Sequence, residues 1–275
     1  MRRRRTSAVA ALSCAVLLAS CGQASLGGRE LVWSDEFSGA AGAAPDPASW
    51  RPVSGGDGWG NDELQCYTDS RENSIVDGKG YLVISARSAP GHACVDGRTN
   101  DYTSARLITQ GLREFQYGTL EMRAKVPTGV GAWPAFWALG RDHETAGWPA
   151  SGEIDVTEVL GREPRVAHGT LHFPAPDGSP AAITGNRTAD ADLGAGFHVY
   201  SATWTPDAIS FALDGATFRT VTRAEVEASG RWVFDQPFYL LLNVAVGGRW
   251  PGPPSAGTAW PQQMVVDYVR VYADR

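Results

Sequence analysis

Apolar and polar positions alternate with a period of two over long stretches of this chain. Leu120, Met122, Ala124 and Val126 interleave with Glu121, Arg123 and Lys125, the pattern of a strand that lays one face on a core. Strand-like runs recur at 81–86, 198–205, 209–213 and 265–272. Among them stand the turn pairs Asp77-Gly78, Asp96-Gly97, Asp177-Gly178 and Asp214-Gly215, where glycine tolerates the positive φ that tight turns require. No window of about twelve residues carries a helical period, and 223–228 reads as one short turn of helix. Many short strands punctuated in this way predict an all-β chain, two antiparallel sheets packed as a sandwich or jelly roll.

The N-terminus breaks the pattern. Arg2, Arg3, Arg4 and Arg5 precede an apolar run at 8–19, the layout of an export signal, and a run of about twelve residues is too short for a spanning helix. It ends in Leu18-Ala19-Ser20-Cys21-Gly22, which resembles a bacterial lipobox. The expected organisation is a signal peptide at 1–20, a lipidated tether at 21–29 with Cys21 acylated, and a single domain at 30–275. Such a protein is exported and lipid-anchored to the outer face of the cytoplasmic membrane or secreted, and is expected to be a monomer.

Charge and cysteine usage follow from that organisation. The 275 residues carry 24 basic and 30 acidic side chains, net −6; losing four Arg and no acid leaves 20 against 30, or −10. No nucleic-acid partner is expected for so acidic a surface. Cys14 leaves with the signal and Cys21 carries lipid, so Cys66 and Cys94 remain as one pair in an oxidising compartment. A Cys66–Cys94 disulfide is predicted, the alternative being two free buried thiols.

Ten Trp are an unusual number for this length. A Trp in a sheet protein is ordinarily core, but Trp133, Trp137 and Trp148 crowd together around Gly and Pro, directly before the densest acidic segment. Flat aromatic faces beside carboxylates suit sugar rings, whose C–H faces stack on indole while their hydroxyls seek polar partners.

That acidic segment, Glu153-Ile154-Asp155-Val156-Thr157-Glu158, reads as a strand because β-branched and aliphatic residues separate the acids. Glu153 and Asp155 share a face. Glu158, five residues on, would point to the opposite face of a regular strand, and one bulge near Val156 or Thr157 would bring it back. The two Glu carboxylates would then stand about 5 to 6 Å apart, the separation of a retaining glycosidase. In that chemistry one carboxylate attacks the anomeric carbon and the other, protonated, serves the leaving oxygen. Asp155 between them would raise the pKa of whichever Glu must begin protonated. The spacing does not say which Glu attacks. A solvated acidic face or a calcium site are the alternatives, the latter without the Asn, Asp or Gly loop spacing such sites use.

The same segment, preceded by Trp133-Pro134-Ala135-Phe136-Trp137-Ala138-Leu139-Gly140, resembles glycoside hydrolase family 16, in particular its laminarinase branch. The likeness continues through Trp33-Ser34-Asp35-Glu36-Phe37, Asn61-Asp62-Glu63-Leu64-Gln65, Phe115-Gln116-Tyr117-Gly118, Gly169-Thr170-Leu171-His172, 242–248 and 266–272, so that it spans nearly all of 30–275. The extra residue between the acids leans toward enzymes cleaving β-1,3-glucan. The resemblance implies a jelly roll with a concave cleft, no cofactor for catalysis, Glu153 as nucleophile, Glu158 as acid/base and Asp155 as assisting acid. It also implies substrate contacts from Asn61, Arg106, Trp133, Trp137 and His172.

Trp148 joins these contacts through its place in the Trp cluster, and Asn243 either contacts sugar or fixes a turn. With His168 four residues earlier, His172 also admits a metal-site or structural reading. A structural calcium held by Glu36, Gly80 and Asp267, away from the cleft, is a further implication. The Gly-rich run at 55–60 lacks Gly-Lys-Ser/Thr and a following helix, and reads as a cleft-rim loop carrying Trp59 rather than a phosphate loop. The Cys66–Cys94 bridge would shape the donor end of the cleft. The expected activity is endo-hydrolysis of β-1,3-glucan, with mixed β-1,3/1,4 chains as a further substrate. A non-catalytic glucan-binding protein and a transglycosylase are the competing readings.

Overall fold

The computed structural model describes residues 29–274. The expected signal peptide, Cys21 and all but the last residue of the expected tether lie outside them. Eighteen strands follow in chain order: β1 (Arg29–Asp35), β2 (Arg51–Val53), β3 (Gln65–Tyr67), β4 (Ser74–Val76), β5 (Leu82–Ala93), β6 (Thr99–Ser104), β7 (Arg106–Ile108), β8 (Glu114–Phe115), β9 (Gly118–Lys125), β10 (Ala132–Gly140), β11 (Glu153–Val159), β12 (Val166–Pro174), β13 (Pro180–Thr188), β14 (His198–Trp204), β15 (Ala208–Leu213), β16 (Ala216–Thr222), β17 (Phe238–Val246) and β18 (Gln262–Asp274). Two helical turns, α1 (His143–Ala146) and α2 (Arg223–Glu227), complete the described residues.

The strands form two sheets, as the alternating pattern predicted. One has ten strands in the order β16-β15-β14-β9-β18-β5-β6-β3, with β1 beside β18 and β4 beside β5. The other has eight, β13-β12-β11-β10-β17-β7-β2, with β8 beside β17. Pairing is antiparallel throughout except between β3 and β6. The architecture is the jelly-roll sandwich expected, and its core lies between the sheets, where Leu120, Met122 and Ala124 of β9 meet Phe136, Ala138, Leu240, Leu242 and Val244.

The strand β17, Phe-Tyr-Leu-Leu-Leu-Asn-Val-Ala-Val, is buried along its whole length. Its inward side chains belong to the core. Its outward Tyr239 and Leu241 join Ile108 and Leu139 in a second apolar cluster on the opposite face of the eight-stranded sheet, flanked by Val53 and Trp137. Such a strand therefore reads as a nearly continuous apolar run instead of an alternating one. This second cluster floors part of the cleft described below.

The short helices have local causes. At α2, expected from 223–228, the Thr222 hydroxyl accepts from the Glu225 backbone N–H at 3.2 Å, half of a capping box. The single turn α1 is too short to carry a periodic signal and has no counterpart in the sequence pattern. The bridge between Cys66 and Cys94 is formed, with Cα atoms 5.6 Å apart.

Candidate active site

The bulge anticipated from spacing lies within β11. Against β10 the register runs Phe136 opposite Thr157 and then Trp137 opposite Asp155, so Val156 has no partner. Against β12 it jumps between Asp155–Thr170 and Glu158–His168. Ile154, Val156 and Val159 thereby enter the core, while Glu153, Asp155 and Glu158 all open onto one cleft of about 720 Å³. In a regular strand with the same residues Glu158 would be driven into apolar packing, where a carboxylate is strongly disfavoured. Gly169, next to the jump, lets Phe211 of the other sheet press close: a Cβ there would stand 2.6 Å from the Phe211 ring.

Glu153 and Glu158 each have an indole partner. The Trp148 Nε1–H donates to Glu153 Oε2 at 2.8 Å, and the Trp133 Nε1–H donates to Glu158 Oε1 at 3.0 Å. His172 Nε2 lies 3.2 Å from Asp155 Oδ2, and one atom each of Glu153, Asp155 and His172 lie within 4.8 Å of one another. His168, by contrast, turns away to Glu163 at 3.7 Å and packs edge-on to Trp250 with ring centres 5.0 Å apart. The two histidines share no ligand position.

Burial and the neighbouring charge of Asp155 push the Glu153 and Glu158 carboxyls up together. His172 and the Trp148 indole offset part of this at Glu153, and His172 and the Trp133 indole do the same at Glu158, which feels the charges of both other acids and sits well above the usual carboxylate range. Both carboxyls therefore hold a proton more tightly than a free glutamate does, Glu153 up to about 8 and Glu158 well above 4.5. Burial alone would keep His172 neutral, but its bond to Asp155 and the charges of Asp155, Glu153 and Glu158 outweigh burial and lift it to about 9.

That shift carries a stability consequence. An unfolded histidine releases its proton near 6.5, so the ion pair stabilises the fold fully below that pH, and its contribution is lost as the pH rises through about 9. Between these values the wild type is expected to lose up to roughly 3 kcal/mol more than His172→Gln. Urea denaturation at the two pH values measures this, and parallel losses in the two proteins would contradict the assignment.

The remaining predicted contacts also reach the cleft. Arg106, on β7, lies between two rings, its guanidinium carbon 4.9 Å from the Trp59 centre and 4.7 Å from that of Trp137. Its Nε is buried without a hydrogen-bond partner among the described residues, as is the Nε1 of Trp59; both are donors suited to sugar hydroxyls. The Trp137 Nε1–H donates to Asn243 Oδ1 at 2.7 Å, so Asn243 supports the platform and does not fix a turn. Asn61 stands at the cleft edge and donates to Glu63 Oε1 at 3.1 Å.

The rim loop rests on the disulfide, as expected. Asp96 accepts from the Gly56 N–H at 2.8 Å, and the Asn100 amide donates to the Gly56 carbonyl at 3.2 Å. A Cβ on Gly56 would fall 2.3 Å from Cys94 Sγ. Among the cleft residues that escape the sequence pattern are Glu63, Tyr67, His143, Thr184 and Trp250. Glu63 belongs to a segment that carries only the family resemblance, and Trp250 lies far along the chain from the Trp cluster.

The proposed calcium ligands meet a different chemistry. Gly80 lies beside Glu36, such that a Cβ at Gly80 would stand 3.8 Å from the Glu36 carbonyl oxygen. The Glu36 carboxylate, however, accepts from Arg270 Nε and Nη2, each at 2.9 Å, and that of Asp267 accepts from Arg123 Nη1. Both carboxylates are already neutralised by guanidinium groups, and a dication would have to displace an arginine. The side chains therefore do not fit calcium as they stand.

Residues 62–270 match Glycosyl hydrolases family 16. A beta-glucanase of Rhodothermus marinus is 44% identical over 251 residues, covering 88% of this chain and 85% of that protein. A glucan endo-1,3-beta-glucosidase of Cryptopygus antarcticus is 40% identical over 269 residues, covering 93% and 96% of the two chains. The solved endo-beta-1,3-glucanase of Pyrococcus furiosus superposes with a TM-score of 0.82 at 43% identity, covering 89% of this chain and 94% of that one. With a bulged strand that carries three acids into an aromatic cleft, and with likeness of this extent, the chain belongs to glycosyl hydrolases family 16.

Proposed function

We propose that this glycoside hydrolase is an endo-acting β-1,3-glucanase that works outside the cell with retention of configuration. The observation that carries the reading is the single extra residue at Val156, which places Glu153, Asp155 and Glu158 together on the cleft. The endo-1,3-beta-glucanases to which the chain is similar support the substrate. The leader-like N-terminus and the Cys66–Cys94 bridge support export.

In the first step Glu153 attacks the anomeric carbon from the α face, while Glu158 transfers its proton to the glycosidic oxygen and the C–O bond breaks. In the second step Glu158, now a base, takes a proton from water. The resulting hydroxide attacks the same carbon and releases Glu153, and the product is β. Trp148 favours the anion of Glu153 through one hydrogen bond, against burial and the charge of Asp155. His172 compensates Asp155, so that the charge between the two Glu does not prevent attack.

Incubation with laminarin, lichenan, agarose and galactan tests the substrate. Laminarin is expected to shorten rapidly before glucose accumulates, and lichenan to be cut as a second substrate. Proton NMR of the first products is expected to show the β-anomer. First appearance of the α-anomer would refute double displacement, and cleavage of agarose or galactan in preference to laminarin would refute the substrate.

A further inference from the structure

The cleft wall contains a carboxylate outside the catalytic strand. Glu63 is 9% exposed and accepts three hydrogen bonds: from Asn61 Nδ2 at 3.1 Å, Gln65 Nε2 at 2.6 Å and the Tyr67 hydroxyl at 3.2 Å. Tyr67 in turn accepts from Asn243 Nδ2 at 3.0 Å, and Asn243 Oδ1 accepts from the Trp137 Nε1–H at 2.7 Å. At the other end Gln65 Oε1 accepts from the Val246 backbone N–H at 2.7 Å.

The directions of the bonds through Asn243, Tyr67 and Gln65 are determined by the ends of this chain. An indole N–H and a backbone N–H can only donate, so the oxygens of Asn243 and Gln65 must face them and both NH₂ groups must point inward. Tyr67, receiving a proton from Asn243, must pass its own to Glu63. Three donors converge on Glu63, and an ionised carboxylate, which is acceptor-only, satisfies all three. Asn61 spends its NH₂ on Glu63, leaving its oxygen as the acceptor. Burial is the largest influence and raises the Glu63 carboxyl above its ordinary value, while the Asn61 and Gln65 bonds, the charge of Arg106 and the Tyr67 bond favour the anion.

We propose that Glu63 is a positioning residue for substrate binding: its negative charge fixes the polarity of the hydrogen bonds behind the cleft wall, so that Asn61 meets the glucan as an acceptor and Trp137 is held flat beneath Arg106. The proposal rests on the glucanase reading for its choice of substrate. A glutamine at this position has one accepting oxygen and an NH₂ that must face a donor, so at least one of Asn61, Gln65 and Tyr67 loses its partner and turns.

Steady-state kinetics on laminarin, with wild type, Glu63→Gln, Tyr67→Phe, Asn61→Ala and the Glu63→Gln/Asn61→Ala double variant, test this. Glu63→Gln is expected to raise KM about tenfold with kcat within about threefold, and Tyr67→Phe, which removes only a hydroxyl, to raise KM about threefold. The double variant is expected to be no worse than its worse single member, because the two residues act through one contact. A wild-type KM in Tyr67→Phe, a fall in kcat with KM unchanged in Glu63→Gln, or additive losses in the double variant would overturn the proposal. If Glu63→Gln does not fold, Tyr67→Phe still decides. A wild type inactive on laminarin would reject the substrate instead, and the same comparison would then be read on whichever polymer of the screen it cleaves.

Discussion

Replacing Glu153 by Gln lowers kcat on laminarin by roughly 10⁴-fold or more, with KM changed only a few-fold. The amide keeps the shape and loses the nucleophile, so the aromatic walls and Arg106 still bind the chain while no glycosyl–enzyme bond forms. A shorter side chain sharpens the test. In Glu153→Ala, added azide can occupy the vacated space and attack from the same α face, giving an α-glycosyl azide as Glu158 protonates the departing sugar. Recovery of that product, identified by NMR, is the expected result. Hydrolysis of laminarin by Glu153→Gln near the wild-type rate would remove Glu153 from the mechanism.

Glu158→Gln is the second large effect and has two opposed parts. Loss of the proton donor is expected to reduce kcat on laminarin by about 10² to 10⁴. The loss should be much smaller on a dinitrophenyl laminaribioside, whose leaving group departs without a proton. Stability moves the other way. The fold holds the Glu158 carboxyl protonated well above the 4.5 at which it titrates when free, through burial and the charges of Asp155 and Glu153. Stability contributed by that proton is therefore fully present below about pH 4.5 and is lost as the pH rises, so the wild-type cleft is destabilised at neutral pH. The amide has no proton to lose. Calorimetry should give Glu158→Gln a Tm several degrees above wild type at pH 7 and no difference at pH 4. A lower Tm at pH 7 would mean that the carboxylate contributes to the fold instead of straining it.

These outcomes depend on a detail that is legible in the order of residues. The acids at 153, 155 and 158 cannot share a face of a regular strand, and three carboxylates among Ile, Val and Thr are better accommodated in an open cleft than in a core. A bulge follows from parity alone, and Val156 is the residue left without a partner. The indole bonds do not follow. Trp133 is twenty-five residues from Glu158, and Trp148 reaches Glu153 across a turn whose geometry no pattern specifies.

Distance along the chain separates most of what the pattern reveals from what it hides. Trp137 meets Asn243 across 106 residues, Asn243 meets Tyr67 across 176, and Gln65 meets Val246 across 181. Glu63 gains its role only when β3 and β17 come together. The ion pairs at the two acids expected to hold calcium are hidden from the pattern for the same reason. Glu36 and Asp267 are acids at the two ends of the chain, and their arginine partners, Arg270 and Arg123, come into place only when β1, β18 and β9 pair.

Residue order was enough for the sheet architecture, the pairing of Cys66 with Cys94, the bulge and the gathering of the three acids on one face, because each depends on local periodicity, on counting or on the parity of neighbours along one strand. How tightly the two Glu hold their protons, which histidine joins the acids, and how Glu63 meets its partners in the wall emerged only with the folded chain. Those properties are set by burial and by charges and hydrogen bonds between distant strands, which exist only after the two sheets have closed on their core.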